Sequence, residues 1–212
     1  MIKDKFGDRL DQWIHTIFPF LFKRKVDPNL LTVLGALICV GAAIAFGMGE
    51  FVVGALLLLL GGLFDLVDGV VARHFDGSTA FGAFLDSTLD RMVDMAVLLG
   101  LVVHYALTGD QTTALVAGVG MISSVLTSYT KARAEAIDVE LRGGSIVERG
   151  ERIVLLIAGG LFGIMQIALW VLAVGATATV VQRFTSARRG LEAQDVERAA
   201  RPRGGEQLLH GD

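Results

Sequence analysis

Five aspartates interrupt two otherwise apolar stretches of the chain: Asp65, Asp68, Asp86, Asp90 and Asp94. Asp65 and Asp68 are spaced i,i+3. Asp86, Asp90 and Asp94 are spaced i,i+4. On helices, each set shares one face. If the stretches cross a bilayer, each Asp costs roughly 2.5–3.5 kcal/mol at mid-membrane, so the set needs cations or water to compensate it. Carboxylates without His or Cys are hard oxygen ligands, suited to Mg²⁺ or Mn²⁺. Two ions in one carboxylate cluster are a common arrangement for displacement at phosphorus. A purely structural alternative pairs the aspartates with Arg73 and Arg91 to lock helix packing. Asp94 fits either role.

A second set of candidate groups is basic. Lys131 and Arg133 follow Ser128, Tyr129 and Thr130, and Arg142 leads Gly143 and Gly144. Glu148-Arg149-Gly150-Glu151-Arg152 opens a further apolar run, and Arg183 closes the last one. If the ends carrying these bases converge beside the aspartates, they supply more positive charge than one diphosphate requires. The excess suggests a second anionic group, such as a phosphorylated alcohol. The alternative is that these residues only mark the cytosolic side of a membrane protein. Glu148 and Glu151 can pair with Arg152 or hold the loop.

The elements that position these groups are visible in composition. Of 212 residues, 53% are hydrophobic and 19% charged, with 26 Gly and 3 Pro. Mean hydropathy is +0.59. Soluble domains sit near about 45–50% apolar and about 25% charged, so an ordinary soluble domain is excluded. Cys39 is the only cysteine, which rules out an intrachain disulfide. The net charge of −3 carries little information because the charges are unevenly distributed.

Six apolar segments, at about 30–48, 51–74, 82–107, 112–134, 149–163 and 166–186, approach the roughly 20 residues needed to cross a bilayer. The expected fold class is an all-α integral membrane protein with six transmembrane helices and an N-terminal interfacial amphipathic helix. Residues 1–27 carry Phe6, Leu10, Trp13, Ile14, Ile17 and Phe18 at helical spacing, with Asp4, Asp8, Arg9 and Asp11 largely between them. They lack the uninterrupted apolar region of a secretory signal. Lys23, Arg24 and Lys25 would face anionic headgroups. Residues 28–187 form the six-helix domain, and the polar tail 188–212 is expected to be disordered.

Connections 47–50, 108–111 and 163–165 contain no Lys or Arg. The basic residues otherwise fall at the N-terminus, at Arg73 and Arg91, between Lys131 and Arg152, and from Arg183 onward. The asymmetry predicts a multi-pass protein of the inner (cytoplasmic) membrane with both termini and the site cytosolic. Asp68 and Asp86 then lie at similar depth on adjacent antiparallel helices, in the inner half of the bilayer.

The run Asp65-Leu-Val-Asp68-Gly69-Val-Val-Ala72-Arg73, with Gly82, Asp86 and Asp90 following at fixed spacing, resembles the signature of the CDP-alcohol phosphotransferases. The resemblance implies transfer of a phosphatidyl group from a CDP-linked lipid to an alcohol, with release of CMP. It also implies six transmembrane helices, a homodimer, two divalent metals (Mg²⁺ or Mn²⁺) and a polar cavity open to the cytosol. On that reading Asp65, Asp68, Asp86 and Asp90 hold the metals, and Asp90 is the catalytic base for the acceptor hydroxyl. Asn29, Leu30, Leu31, Thr32, Gly69, Arg73, Thr79 and Gly82 bind the CDP-diacylglycerol donor. For Asn29 and Thr32, helix capping is the alternative.

Lys131-Ala-Arg133-Ala-Glu135 and the Glu148–Arg152 run look like bacterial phosphatidylinositol phosphate synthases and their archaeal counterparts, although Gly150 stands where those usually have Pro. This resemblance implies acceptor binding by Ser128, Lys131, Arg149, Arg152 and Arg183, with 1D-myo-inositol 3-phosphate as the acceptor. Phosphatidylglycerophosphate synthase, using glycerol 3-phosphate, is the nearest competing expectation. A cation channel or carrier would need acids through the outer half, where only Glu50 and Asp110 occur, both in loops. Nothing points to nucleic acid, and His74 and His104 read as structural.

Overall fold

The computed structural model describes residues 27–74, 79–141 and 145–200, with the side chains of 72–74 and 197–200 outside that description. The expected interfacial helix at 1–27 therefore lies outside the described residues, apart from Asp27. Among the described residues six helices form: α1 Pro28–Gly47, α2 Phe51–His74, α3 Ala80–Leu107, α4 Gln111–Glu135, α5 Arg149–Leu161 and α6 Met165–Ala200. They occupy the six apolar segments of the sequence.

Four of them, α1, α2, α4 and α6, are long and apolar enough to cross a membrane. The six spans expected from sequence thus reduce to four by that measure. In α3 the cause is charge, since Asp86, Asp90, Arg91 and Asp94 interrupt it. In α5 it is length: 13 residues rise about 20 Å, short of a hydrocarbon core about 30 Å thick.

Local chemistry sets the helix boundaries. The Asp27 side chain accepts from Asn29 N–H, and Pro28 occupies the first turn of α1, where its missing N–H costs nothing. Tight turns follow α1, α3 and α5. Each contains a glycine at positive φ: Gly49 (85°), Gly109 (87°) and Gly163 (68°). These are the three connections that lack Lys and Arg. In α5, Glu148 and Glu151 close a reciprocal capping box.

The principal packing runs in a closed ring, α1–α3–α4–α6–α5–α2 and back to α1. Small residues on α1 let two neighbours approach closely. A Cβ added at Gly61 of α2 would strike Cys39 Sγ, and one added at Gly100 of α3 would strike the Ala43 carbonyl oxygen. Close backbone approach at such positions is a recurring device of membrane helix packing. It draws α2 and α3, the two aspartate-bearing helices, close against α1. Phe46, Leu101, Leu169 and Leu172 fill the centre, whereas Leu37, Ile44, Ile167 and Val174 stay on the outer surface. An apolar exterior of this kind suits lipid.

The structure corrects the expected tail. Helix α6 continues to Ala200, so residues 188–200 are helical rather than disordered. No proline occurs between Pro28 and Pro202. Arg188 Nε pairs with Glu192 Oε1 at 2.7 Å one turn on. The extension is also anchored: Gln194 Nε2 donates to the Asp138 carbonyl at 2.7 Å, and Gly190 lies against Val139. Residues 201–212 lie outside the described residues.

Candidate active site

Asp65 and Asp68 on α2 meet Asp86 on α3. One carboxylate oxygen from each lies within 4.8 Å of the others. Asp68 is 7% exposed, and its Oδ2 has no hydrogen-bond partner. A buried, unpartnered carboxylate oxygen is costly unless a cation meets it. Three convergent hard oxygen donors, one of them orphaned, fit a divalent ion such as Mg²⁺ or Mn²⁺.

Asp90, one turn further along α3, stands outside that trio. Its Oδ1 is 2.7 Å from Arg149 Nη2. Arg149 reaches across from the first turn of α5 and also meets Asp65 Oδ2 at 3.5 Å. Its Nε lies 3.5 Å from Asp94 Oδ1. The other Asp94 oxygen is 3.2 Å from Arg152 Nη2. Asp65, Asp90 and Asp94 thus face arginines of α5. The alternative partner Arg91 is exposed and its guanidinium donates to the Ser87 carbonyl of its own helix. The side chain of Arg73 lies outside the described residues.

Of the expected donor-side residues, Asn29, Leu30, Leu31, Thr32, Thr79 and Gly82 lie at the starts of α1 and α3, and Gly69 and Arg73 near the end of α2. A Cβ added at Gly82 would lie 3.0 Å from Asn29 Oδ1 and 3.1 Å from Thr79 Oγ1. Thr79 caps α3 by accepting from Gly82 N–H at 2.9 Å. Thr32 Oγ1 donates to the Pro28 carbonyl at 3.0 Å. It also lines a narrow crevice of about 30 Å³ with Asp65, Asp90 and Arg149. Leu31 is buried, Leu30 is exposed, and Gly69 is half-buried beside Asp68. Asp76, Gly77 and Ser78 are outside the described residues.

On the acceptor side, Lys131 and Arg183 line a cleft of about 690 Å³ together with Glu135, Ser145, Glu148 and Gln182. Arg183 donates to Ser145 Oγ and to the Thr127 carbonyl. Lys131 Nζ is 4.0 Å from Glu135 Oε1, with both side chains exposed. An adjoining cavity of about 550 Å³ shares Asp138, Glu140 and Gln182 and continues to Arg189 on the α6 extension. Ser128 is half-buried and does not line this cleft, and neither do Arg149 and Arg152. The sequence reading missed Ser145 and Gln182. Only Gln182, beside Arg183 at the polar end of the last apolar run, carried a sequence signal. His104 is structural, edge-on to Phe51 at 4.9 Å.

A membrane-embedded helical bundle with convergent aspartates and arginines defines a class. The chain belongs to the CDP-alcohol phosphatidyltransferase family, which it matches over residues 25–182, and it is a transferase. Within that family it is 38% identical over 195 residues to phosphatidylinositol phosphate synthase of Streptomyces avermitilis, covering 85% of this chain and 80% of that one. It is 36% identical over 180 residues to archaetidylinositol phosphate synthase of Methanothermobacter thermautotrophicus, covering 77% and 89%. Two crystal structures of Mycobacterium tuberculosis phosphatidylinositol phosphate synthase share the fold. The one with CDP-DAG bound superposes with a TM-score of 0.72 at 30% identity, over 86% of this chain and 94% of that one. The one with manganese and citrate gives 0.75 at 33% identity, over 82% and 88%.

Proposed function

We propose that the protein is a phosphatidylinositol phosphate synthase, transferring a phosphatidyl group from CDP-diacylglycerol to 1D-myo-inositol 3-phosphate. The observation that carries this reading is the placement of Arg149 against Asp65 and Asp90 while Arg183 and Lys131 line a roomy polar cleft. An acceptor that is itself a phosphate ester uses both the carboxylates and the extra cations. The names of the relatives and the manganese complex of the tuberculosis enzyme support the same reading.

Asp65, Asp68 and Asp86 would hold divalent metal, with a second ion beside Asp90. When bound, the ions screen the donor diphosphate and stabilise charge on departing CMP. Asn29, Leu30, Leu31, Thr32, Gly69, Arg73, Thr79 and Gly82 border the nucleotide. Ser128, Lys131, Arg149 and Arg183 orient the acceptor phosphate. Asp90 takes the proton from the acceptor hydroxyl as its oxygen attacks the lipid-side phosphorus. The phosphorus–oxygen bond to CMP breaks, and CMP leaves with the electron pair.

All six helices cross the membrane on this reading. The three short connections without Lys or Arg would face outward, and both termini and the site inward, in the inner (cytoplasmic) membrane. The functional unit is a homodimer.

The test uses purified protein with CDP-diacylglycerol and a panel of alcohols and alcohol phosphates, following CMP release. Inositol phosphate should be preferred, EDTA should abolish turnover, and Mg²⁺ or Mn²⁺ should restore it. Preference for glycerol 3-phosphate would make it a phosphatidylglycerophosphate synthase instead. Full activity in thoroughly chelated enzyme would remove the metal from the mechanism.

A further inference from the structure

Helix α6 is longer than a membrane span requires. Its 36 residues rise about 54 Å, against a hydrocarbon core about 30 Å thick. The surplus falls at the polar C-terminal end, and the family match stops at residue 182, before that end begins. The extension is nevertheless docked, and what it docks on is the turn that leaves α4.

That turn is tight. Val139 N–H reaches back to the Ala134 carbonyl at 2.9 Å, Ile137 N–H meets the same carbonyl at 3.2 Å, and Asp138 sits at φ 54°. Outside glycine, this left-handed conformation is held at a cost. The extension supports it at two points. Gln194 Nε2 donates to the Asp138 carbonyl at 2.7 Å. Val139 is 4% exposed although it lies in a connection, and a Cβ added at Gly190 would come within 2.8 Å of its Cγ1.

The same turn is a wall of the cleft. Asp138, Val139, Glu140 and Leu141 line it together with Lys131 and Arg183. Asp138, Val139 and Glu140 also border the adjoining cavity of about 550 Å³, which Arg189, Gly190 and Gln194 of the extension line as well. The wall therefore stands between the cleft and a space large enough for it to move into. Gly190 and Gln194 bridge that space.

We infer that the α6 extension is a strut for the acceptor cleft: Gly190 and Gln194 are positioning residues that hold the 138–141 wall in register with Lys131 and Arg183, and so set the width available to an alcohol phosphate. They act through Val139 and the Asp138 carbonyl. This rests on the reading of the cleft as the acceptor site.

The test reads acceptor and donor KM separately in the full-length enzyme. Gln194→Ala removes the bond to Asp138. It should raise KM for inositol phosphate by about two- to tenfold, the worth of one neutral hydrogen bond, and leave KM for CDP-diacylglycerol within about twofold. Gly190→Ala favours the helix itself but sets a methyl against Val139 Cγ1, so it should raise the acceptor KM in the same way. Adding Val139→Ala to Gly190→Ala takes away the methyl that is struck and should return the acceptor KM toward the wild-type value.

A role in packing alone would move both KM values together, or lower the apparent Tm with neither KM changed; either result overturns the proposal. So does a Gly190→Ala defect that Val139→Ala leaves uncorrected in a monodisperse protein. Wild-type enzyme that accepts only unphosphorylated alcohols would overturn the acceptor reading. Wild-type turnover of inositol phosphate with an unmoved acceptor KM in Gln194→Ala and Gly190→Ala would overturn the strut alone.

Discussion

Replacing Asp68 by Asn should push metal affinity and the stability of the metal-free protein in opposite directions. Asp68 is the most buried member of the trio, at 7% exposed, and its Oδ2 is unpartnered. Its neighbours approach within 4.8 Å. At that distance two like charges repel by about 3.5 kcal/mol for an effective dielectric constant of about 20. Arg149 beside Asp65 offsets part of this. Asn keeps the shape, removes the charge and supplies N–H donors to the remaining carboxylates. The net gain for metal-free protein should be about 1–3 kcal/mol, the usual cost of an unsatisfied buried group.

For a chain of this size that corresponds to an apparent Tm higher by roughly 2–12 °C in EDTA. Mn²⁺ affinity should fall by about 10–100-fold, the equivalent of one charged ligand contact of about 1.5–3 kcal/mol. Thermal unfolding in detergent with EDTA measures the first, and titration of Mn²⁺ by its paramagnetic resonance signal measures the second. With saturating Mn²⁺ the order should invert, wild type melting above the variant. An Asn variant that melts lower in EDTA would mark Asp68 as a packing residue. Unchanged Mn²⁺ affinity would remove it from the metal site.

Three further outcomes can be checked. Asp90→Asn should abolish turnover while retaining CDP-lipid binding; recovery of near-wild-type turnover in excess Mg²⁺ would show that Asp90 is a ligand and not the essential base. Arg183→Gln, which removes a cleft-lining charge, should raise the acceptor KM by about tenfold or more with little change for the donor, and equal effects on both would point to folding. Asp110 caps α4 by accepting from Thr113 Oγ1 at 2.6 Å and from Thr113 N–H at 3.0 Å, which holds its carboxyl below the ordinary value of 3.8. The cap's contribution is therefore fully present above that value and fades as pH falls through the lowered one. Asp110→Ala should lower apparent Tm at neutral pH and narrow the gap to wild type in strong acid; a gap that widens in acid would contradict the assignment.

Much of this architecture follows from residue order alone. Apolar segments of near-bilayer length, with glycines at their tight turns, dictate where helices start and stop, because those boundaries depend on local dihedral preference and on satisfying backbone hydrogen bonds. The i,i+3 and i,i+4 spacings place each aspartate set on one helical face for the same local reason. The membership of Asp65, Asp68 and Asp86 in one cluster was accordingly readable before any coordinates. Which cations face them was not. Asp94 had Arg73 and Arg91 nearest in sequence as candidates, yet its partners are Arg149 and Arg152, more than fifty residues away. That choice depends on the ring order of the helices and on their rotation about their axes. Both are set by contacts such as Gly61 on Cys39 and Gly100 on Ala43, which no single-helix periodicity encodes. The helical course of residues 188–200 belongs with these tertiary outcomes: a polar stretch with little apolar surface reads as disordered, and its docking on the α4–α5 connection through Gly190 and Gln194 emerges only once Val139 and the Asp138 carbonyl stand beside it.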